Sequence, residues 1–164
     1  MQRSRVCCRI GCRLVLVAAL AGLTYSAARC VGADTAGAGS VDTWPVFRGD
    51  SRSTGAAQSD LPATLDLLWE YRVPDGAFES TPVIMAGVVY IADLDGCLYA
   101  LELATGKERW KKKWETGFTA AAAAGDKRLY LGDIDGLLRC LDIGSGDELW
   151  TYAAEGEISS GVNF

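Results

Sequence analysis

Histidine is absent from all 164 residues, which excludes imidazole acid–base catalysis and histidine-ligated metal from this stretch of chain. Basic residues are scarce where the body of the protein lies. Five of the 16 (Arg3, Arg5, Arg9, Arg13 and Arg29) precede Asp34, whereas all 21 acidic residues lie at or beyond it. Eleven cations against 21 anions leave residues 34–164 with a net charge of −10. Such a body excludes nucleic acid and anionic membrane as main partners, because both require clustered positive charge. Long apolar runs are missing as well. The apolar segment 14–23 has ten residues, too few for a permanent transmembrane helix. Cysteine is nearly confined to the start of the chain: beyond Cys7, Cys8, Cys12 and Cys30 only Cys97 and Cys140 remain.

What is present begins with an address. An arginine-rich start, the apolar run and then small residues identify residues 1–33 as a secretory signal peptide. Cleavage fits after Ala28, with Ser26 at −3, or after Ala33, with Val31 at −3. Arg29 before Cys30 departs from the small residue that lipoprotein processing requires. The expected location is therefore outside the cytoplasm, periplasmic or extracellular after cleavage, where Cys97 and Cys140 meet an oxidising compartment. The adjacent Cys7 and Cys8 leave with the leader.

Residues 88–110 are written again, forty positions on, as residues 128–150. Tyr90 returns as Tyr130, Asp93 as Asp133, Asp95 as Asp135, Gly96 as Gly136, Leu98 as Leu138, Gly106 as Gly146, Glu108 as Glu148 and Trp110 as Trp150. A period near forty, with short apolar runs punctuated by Asp-Gly and Gly turns, predicts one propeller blade per repeat. The expected fold is all-β: an incomplete β-propeller of four-stranded antiparallel blades, with about two full blades plus parts of two others. The blades are expected at 79–117 and 118–156, with strands at 81–85, 88–92, 97–103 and 107–114, then 119–124, 127–132, 137–143 and 147–152. The first strand of the second blade, Ala120 to Ala124, has helical propensity. The repeat register overrules it.

Around this core the chain divides further. Residues 34–60 read as a flexible N-terminal arm with an aromatic cluster, Trp44 and Phe47, as its anchor; Arg48 is its candidate ligand contact. Trp69 lies 41 residues before Trp110, so residues 67–72 are expected to be a closing strand that completes a blade begun by the C-terminal end of the ring. A third blade is expected to begin at residue 157, which reads the chain as the N-terminal piece of a longer protein with an exposed apolar blade face. Lys111, Lys112 and Lys113 fall on the outer strand, where lysines discourage sheet-to-sheet pairing.

These residues resemble the pyrroloquinoline-quinone (PQQ) repeat of the quinoprotein alcohol dehydrogenase-like β-propellers, over roughly 61–164. The family's tryptophan-docking pattern places a small residue six before a Gly and ten before a Trp. Ala100, Gly106 and Trp110 fit it; in the second repeat Gly146 and Trp150 fit, with Cys140 replacing the Ala. The resemblance implies that these residues are structural, the Trp ring packing over a glycine to tie neighbouring blades together. The opening from Trp44 to Gly49 is also similar to the start of many secreted bacterial PQQ-repeat proteins.

The resemblance does not carry one activity. Quinoprotein dehydrogenases hold PQQ beneath a vicinal disulfide with Ca²⁺ ligated by Glu and Asn and an Asp as base, and no residue here matches those positions. Other relatives bind no quinone, among them the scaffold lipoprotein of the outer-membrane β-barrel assembly machine, the BamB type. The expected function is a non-catalytic binding or scaffolding module for a protein or glycan partner and for the remaining blades of its own ring. No cofactor is expected within this stretch, and no catalytic or metal-ligating residue is assigned. The alternative is a PQQ-dependent oxidoreductase whose PQQ and Ca²⁺ sit in other blades. Asp95, Gly96, Asp135 and Gly136 are expected to be blade turns, since a Ca²⁺ site needs six to eight oxygens and a longer ligand run. For Cys97 and Cys140, a disulfide across facing blades and simple core filling are both open, and filling is the commoner role of such residues.

Overall fold

Eight short strands follow one another without a helix among the described residues: β1 Val83–Met85, β2 Val88–Ala92, β3 Cys97–Glu102, β4 Glu108–Lys113, β5 Ala123–Gly125, β6 Arg128–Gly132, β7 Leu137–Asp142 and β8 Glu148–Ala153. They form two antiparallel four-stranded meanders, β1-β2-β3-β4 and β5-β6-β7-β8, which are two consecutive propeller blades. The computed structural model describes residues 43–57, 63–74 and 76–164. The expected signal peptide, its cleavage sites and the lead-in to residue 42 lie outside the described residues. No described helix is long and apolar enough to cross a membrane.

Turn chemistry sets the pleats. Ala86 and Gly87 both take positive φ, 51° and 73°, the two-residue hairpin whose twist matches that of its flanking strands. Asp126 and Lys127 do the same at 48° and 64° without a glycine. Gly96 is indispensable for a second reason besides its φ of 87°: a Cβ there would run into the backbone oxygens of Trp114 and Thr116. Both blades also carry a bulge at one position of the repeat, between Ala100 and Leu101 and between Cys140 and Leu141.

The inner strands are shorter than the sequence predicts, at three residues each. Ala120 to Ala122 are buried yet lie before β5. The arm takes up part of the hydrogen bonding in their place. Trp44 exchanges two 2.8 Å backbone bonds with Ile84, and the Ala124 amide donates to the Pro45 carbonyl at 2.7 Å. Trp44 and Pro45 therefore bridge the inner edges of both blades, with Val46 buried and Phe47 and Arg48 exposed.

Between the blades lies a common core of Val83, Val88, Tyr90, Leu98, Phe118, Leu129, Leu131 and Leu141, against which Trp110 and Trp114 pack. The far face of the first blade carries a second cluster, Val89, Cys97, Tyr99 and Leu101. It is covered by Trp69, Tyr71 and Val73, which point inward while Glu70 and Arg72 point out. That alternation is strand-like, although residues 67–72 pair with no described strand. Residues 157–164 likewise form no strand.

Candidate functional site

The β2–β3 and β6–β7 hairpins place a carboxylate inside the sheet. Asp93 and Asp133 are both fully buried. In the first blade Asp93 accepts from the Cys97 amide at 2.7 Å and from the Tyr99 hydroxyl at 2.8 Å. In the second, Asp133 accepts from the Leu137 amide at 2.7 Å and from the Arg139 guanidinium at 2.9 Å. One carboxylate oxygen thus caps the start of the next strand and the other is tied to the residue six positions on. The neighbouring Asp95 and Asp135 are exposed at the turn tips.

The tie differs in kind between the two blades. Burial raises the Tyr99 phenol above its ordinary pKa, and the hydrogen bond to Asp93 adds to the shift. Tyr71 and Phe78 stand edge-on to the Tyr99 ring at 5.5 and 5.8 Å, and the Lys111 ammonium lies 4.8 Å from its centroid. Tyr71 itself donates to Glu108 at 2.7 Å and is pushed up to about 12, mainly by burial and then by that carboxylate. Arg139, in contrast, bridges Asp133 and Glu148, the latter at 2.8 Å, and its guanidinium lies 5.2 Å from the centre of the Trp114 ring of the first blade. Its Nε is buried without a partner.

The tryptophan-docking residues lie on the blade faces. Ala100 pairs across strands with both Tyr90 and Trp110, and Cys140 with Tyr130 and Trp150. A small residue in the middle lets the flanking rings meet over it, at 5.8 Å in the first blade and 6.0 Å in the second. The glycines serve the preceding strand. A Cβ on Gly106 would come within 2.6 Å of the Trp69 ring, and one on Gly146 within 2.9 Å of Trp110. Trp69 also donates from Nε1 to the Leu103 carbonyl at 2.8 Å. Trp150 has no glycine beneath it among the described residues and is 42% exposed.

Cys97 and Cys140 are both free and buried, so the disulfide alternative gives way to core filling. Burial raises the Cys140 thiol above its usual pKa, which keeps it out of the reactive thiolate form. Among the described residues no three of His, Cys, Asp and Glu gather in a metal-ligating group. The two interior carboxylates do not fit a PQQ–Ca²⁺ site either, because their oxygens are already held by amide, hydroxyl and guanidinium donors.

Among the described residues, the outer face of the second blade has no blade packed on it. A cavity of about 380 Å³ lies there, lined by Tyr130, Leu138, Trp150, Val162, Asn163 and Phe164 with Gly125 and Asp126. Trp150 and Phe164 in its wall are 42% and 61% exposed. In the first blade the positions equivalent to Tyr130, Leu138 and Trp150 are Tyr90, Leu98 and Trp110, all packed in the core between the blades. The sequence singled out Trp150 on this wall but missed Arg139. Its signal was a mismatch, Tyr99 against Arg139 in an otherwise matched register.

A family model described as outer membrane protein assembly factor BamB matches residues 61–113 and 94–162. No curated protein sequence matches the chain. Among solved structures, BamB from Moraxella catarrhalis is 26% identical, with a TM-score of 0.52 over 55% of this chain and 28% of that one. The quinohemoprotein alcohol dehydrogenase from Comamonas testosteroni is 23% identical, with a TM-score of 0.61 over 68% of this chain and 19% of that one. Quinohemoprotein alcohol dehydrogenase ADHIIG from Pseudomonas putida HK5 is 21% identical, with a TM-score of 0.58 and the same coverage. The likeness to the two dehydrogenases shows the fold alone. The chain spans less than a third of each of these structures.

Proposed function

Because the chain belongs to the PQQ-repeat β-propeller family whose matching model is described as outer membrane protein assembly factor BamB, we propose that it serves as an exported, non-catalytic scaffold holding a protein partner. The observation that carries this reading is the contrast between its interior and its surface. The interior carboxylates, Asp93 and Asp133, are consumed by structural hydrogen bonds. Beyond that interior, the exposed large side chains Trp150, Tyr152 and Phe164 lie on the second blade, on a face that packs against further blades of the ring or against a partner protein. An acidic body suits a partner with basic character. A glycan partner finds no support in these features. The residues 1–33, with their leader-like pattern, support export.

Two measurements on the full chain test this. Calorimetric titration with PQQ and Ca²⁺, run beside a dye-linked alcohol oxidation assay, is expected to give neither saturable binding nor turnover; both together would move the chain to the oxidoreductases. A photo-cross-linking residue at Tyr152, introduced in cells, is expected to form a discrete adduct with an envelope protein. Absence of any adduct would remove the scaffold reading.

A further inference from the structure

The two outer strands occupy the same place in their blades, yet their free edges are built differently. Each is the last strand of its sheet, paired on one side only among the described residues. On β4, Lys111, Lys112 and Lys113 hold the edge: Lys111 lies over the Tyr99 ring, Lys112 reaches Asp147 at 2.8 Å and Lys113 bonds the Asp95 carbonyl. Lysines on an edge strand block pairing with another chain. On β8 the equivalent positions are Thr151, Tyr152 and Ala153, and from Leu149 to Ala154 there is no charge, proline or glycine. All six residues of β8 are exposed. This edge combines β-prone side chains with unpaired backbone groups and lacks the protection its twin carries.

We infer that β8 accepts an extended segment of a partner polypeptide as a fifth strand, and that the segment carries basic residues at the end lying beside Glu155 and Glu157. Backbone pairing on an open edge supplies affinity, and side chains at alternate positions supply specificity. Glu155 and Glu157 are exposed and take part in no ion pair among the described residues, so they attract a cationic flank. The same charges disfavour a second copy of this chain. Antiparallel pairing of two β8 strands sets Glu155 of each near Asp147 and Glu148 of the other, and like charges opposed across strands are destabilising. The inference rests on the scaffold reading and names the chemistry of its partner.

The test uses the full chain and a fluorescein-labelled peptide of alternating valine and threonine with two lysines at one end, followed by fluorescence anisotropy. Saturable binding is expected, weakened at least tenfold when the lysines are replaced by glutamates. It should weaken at least tenfold again when alternate amides of the probe are N-methylated, which removes edge pairing and keeps the side chains. The double substitution Thr151→Lys with Tyr152→Lys, which copies β4, is expected to weaken it comparably while leaving the circular dichroism spectrum unchanged. Equal binding of the N-methylated probe would overturn the inference by showing charge attraction alone. So would a concentration-dependent dimer abolished by the double substitution, which would make a second copy the occupant. If the probe fails while the Tyr152 cross-link to an envelope protein still forms, only the β8 inference falls.

Discussion

The two blades share a register, a bulge and a turn pattern, but among the described residues the first is covered on both faces and the second on one. Blade one has Trp69, Tyr71 and Val73 on one face and the second blade on the other. Blade two has a covered face and one that carries a cavity and exposed aromatic rings. The difference reaches into the interior. Where a face is sealed by aromatic residues, Asp93 is held by the neutral Tyr99; where the blades meet, Asp133 is held by Arg139, which also stacks on Trp114. A repeated fold can thus keep its backbone constant while the interior charge and the outer edge diverge to suit what lies next to each blade.

The largest expected effect lies in the Arg139 cluster. Arg139→Met leaves a buried carboxylate without its counter-charge, and breaking such a pair costs about 3–5 kcal/mol. Arg139→Tyr copies the first blade and is expected to recover most of that loss, to within about 1–2 kcal/mol of the parent, because a hydroxyl again reaches the carboxylate. Urea unfolding midpoints of the two variants check this; equal losses would show that the blades do not use interchangeable ties.

The tryptophans sharpen the same contrast. Trp110→Ala removes a ring packed in the core and over Gly146, at about 3 kcal/mol, the low end for a large aromatic since the ring is partly exposed. Trp150→Ala removes a ring that is 42% exposed and packs on no glycine among the described residues, and is expected to cost about 1 kcal/mol or less. A thermal melt of each variant decides, and equal losses would mean that the outer face is covered in solution.

Alkaline pH is expected to act through the first blade. Burial raises the phenols of Tyr90 and Tyr99, and Tyr71 is pushed up to about 12, against about 10 in an unfolded chain. A raised folded value means that this stabilisation is complete below about pH 10 and is lost as pH rises through the folded value, to about 12 for Tyr71. The urea midpoint should fall across that window, and Tyr71→Phe should remove part of the fall. The smallest effect belongs to the surface pair Lys112–Asp147, which links the blades across 2.8 Å. Lys112→Ala is expected to cost below about 1 kcal/mol and to lose even that at high salt.

Much of this fold was legible because the repeat aligns turns and strands twice, so Gly96 and Gly136, or Ala100 and Cys140, confirm each other's place. What escaped was decided by depth. Asp93 and Asp95 both precede the turn glycine, and only the register of β2 sends Asp93 inward while Asp95 stays in water. Arg139 was hidden because a repeat shows itself through its matched positions, and the meaning of Arg139 lies in a mismatch with Tyr99 that packing makes useful. The inner strands were overextended because apolar runs cannot show where the arm, through Trp44 and Pro45, takes over the hydrogen bonding.

That the second blade receives the partner is tested most directly by amide hydrogen exchange on the full chain. Amides of Val88–Ala92 and Cys97–Glu102 should exchange more slowly than those of the equivalent Arg128–Gly132 and Leu137–Asp142, and the lysine-flanked probe should slow exchange in β8 alone. Equal protection of the two blades without the probe, or slowing spread evenly over both, would contradict it.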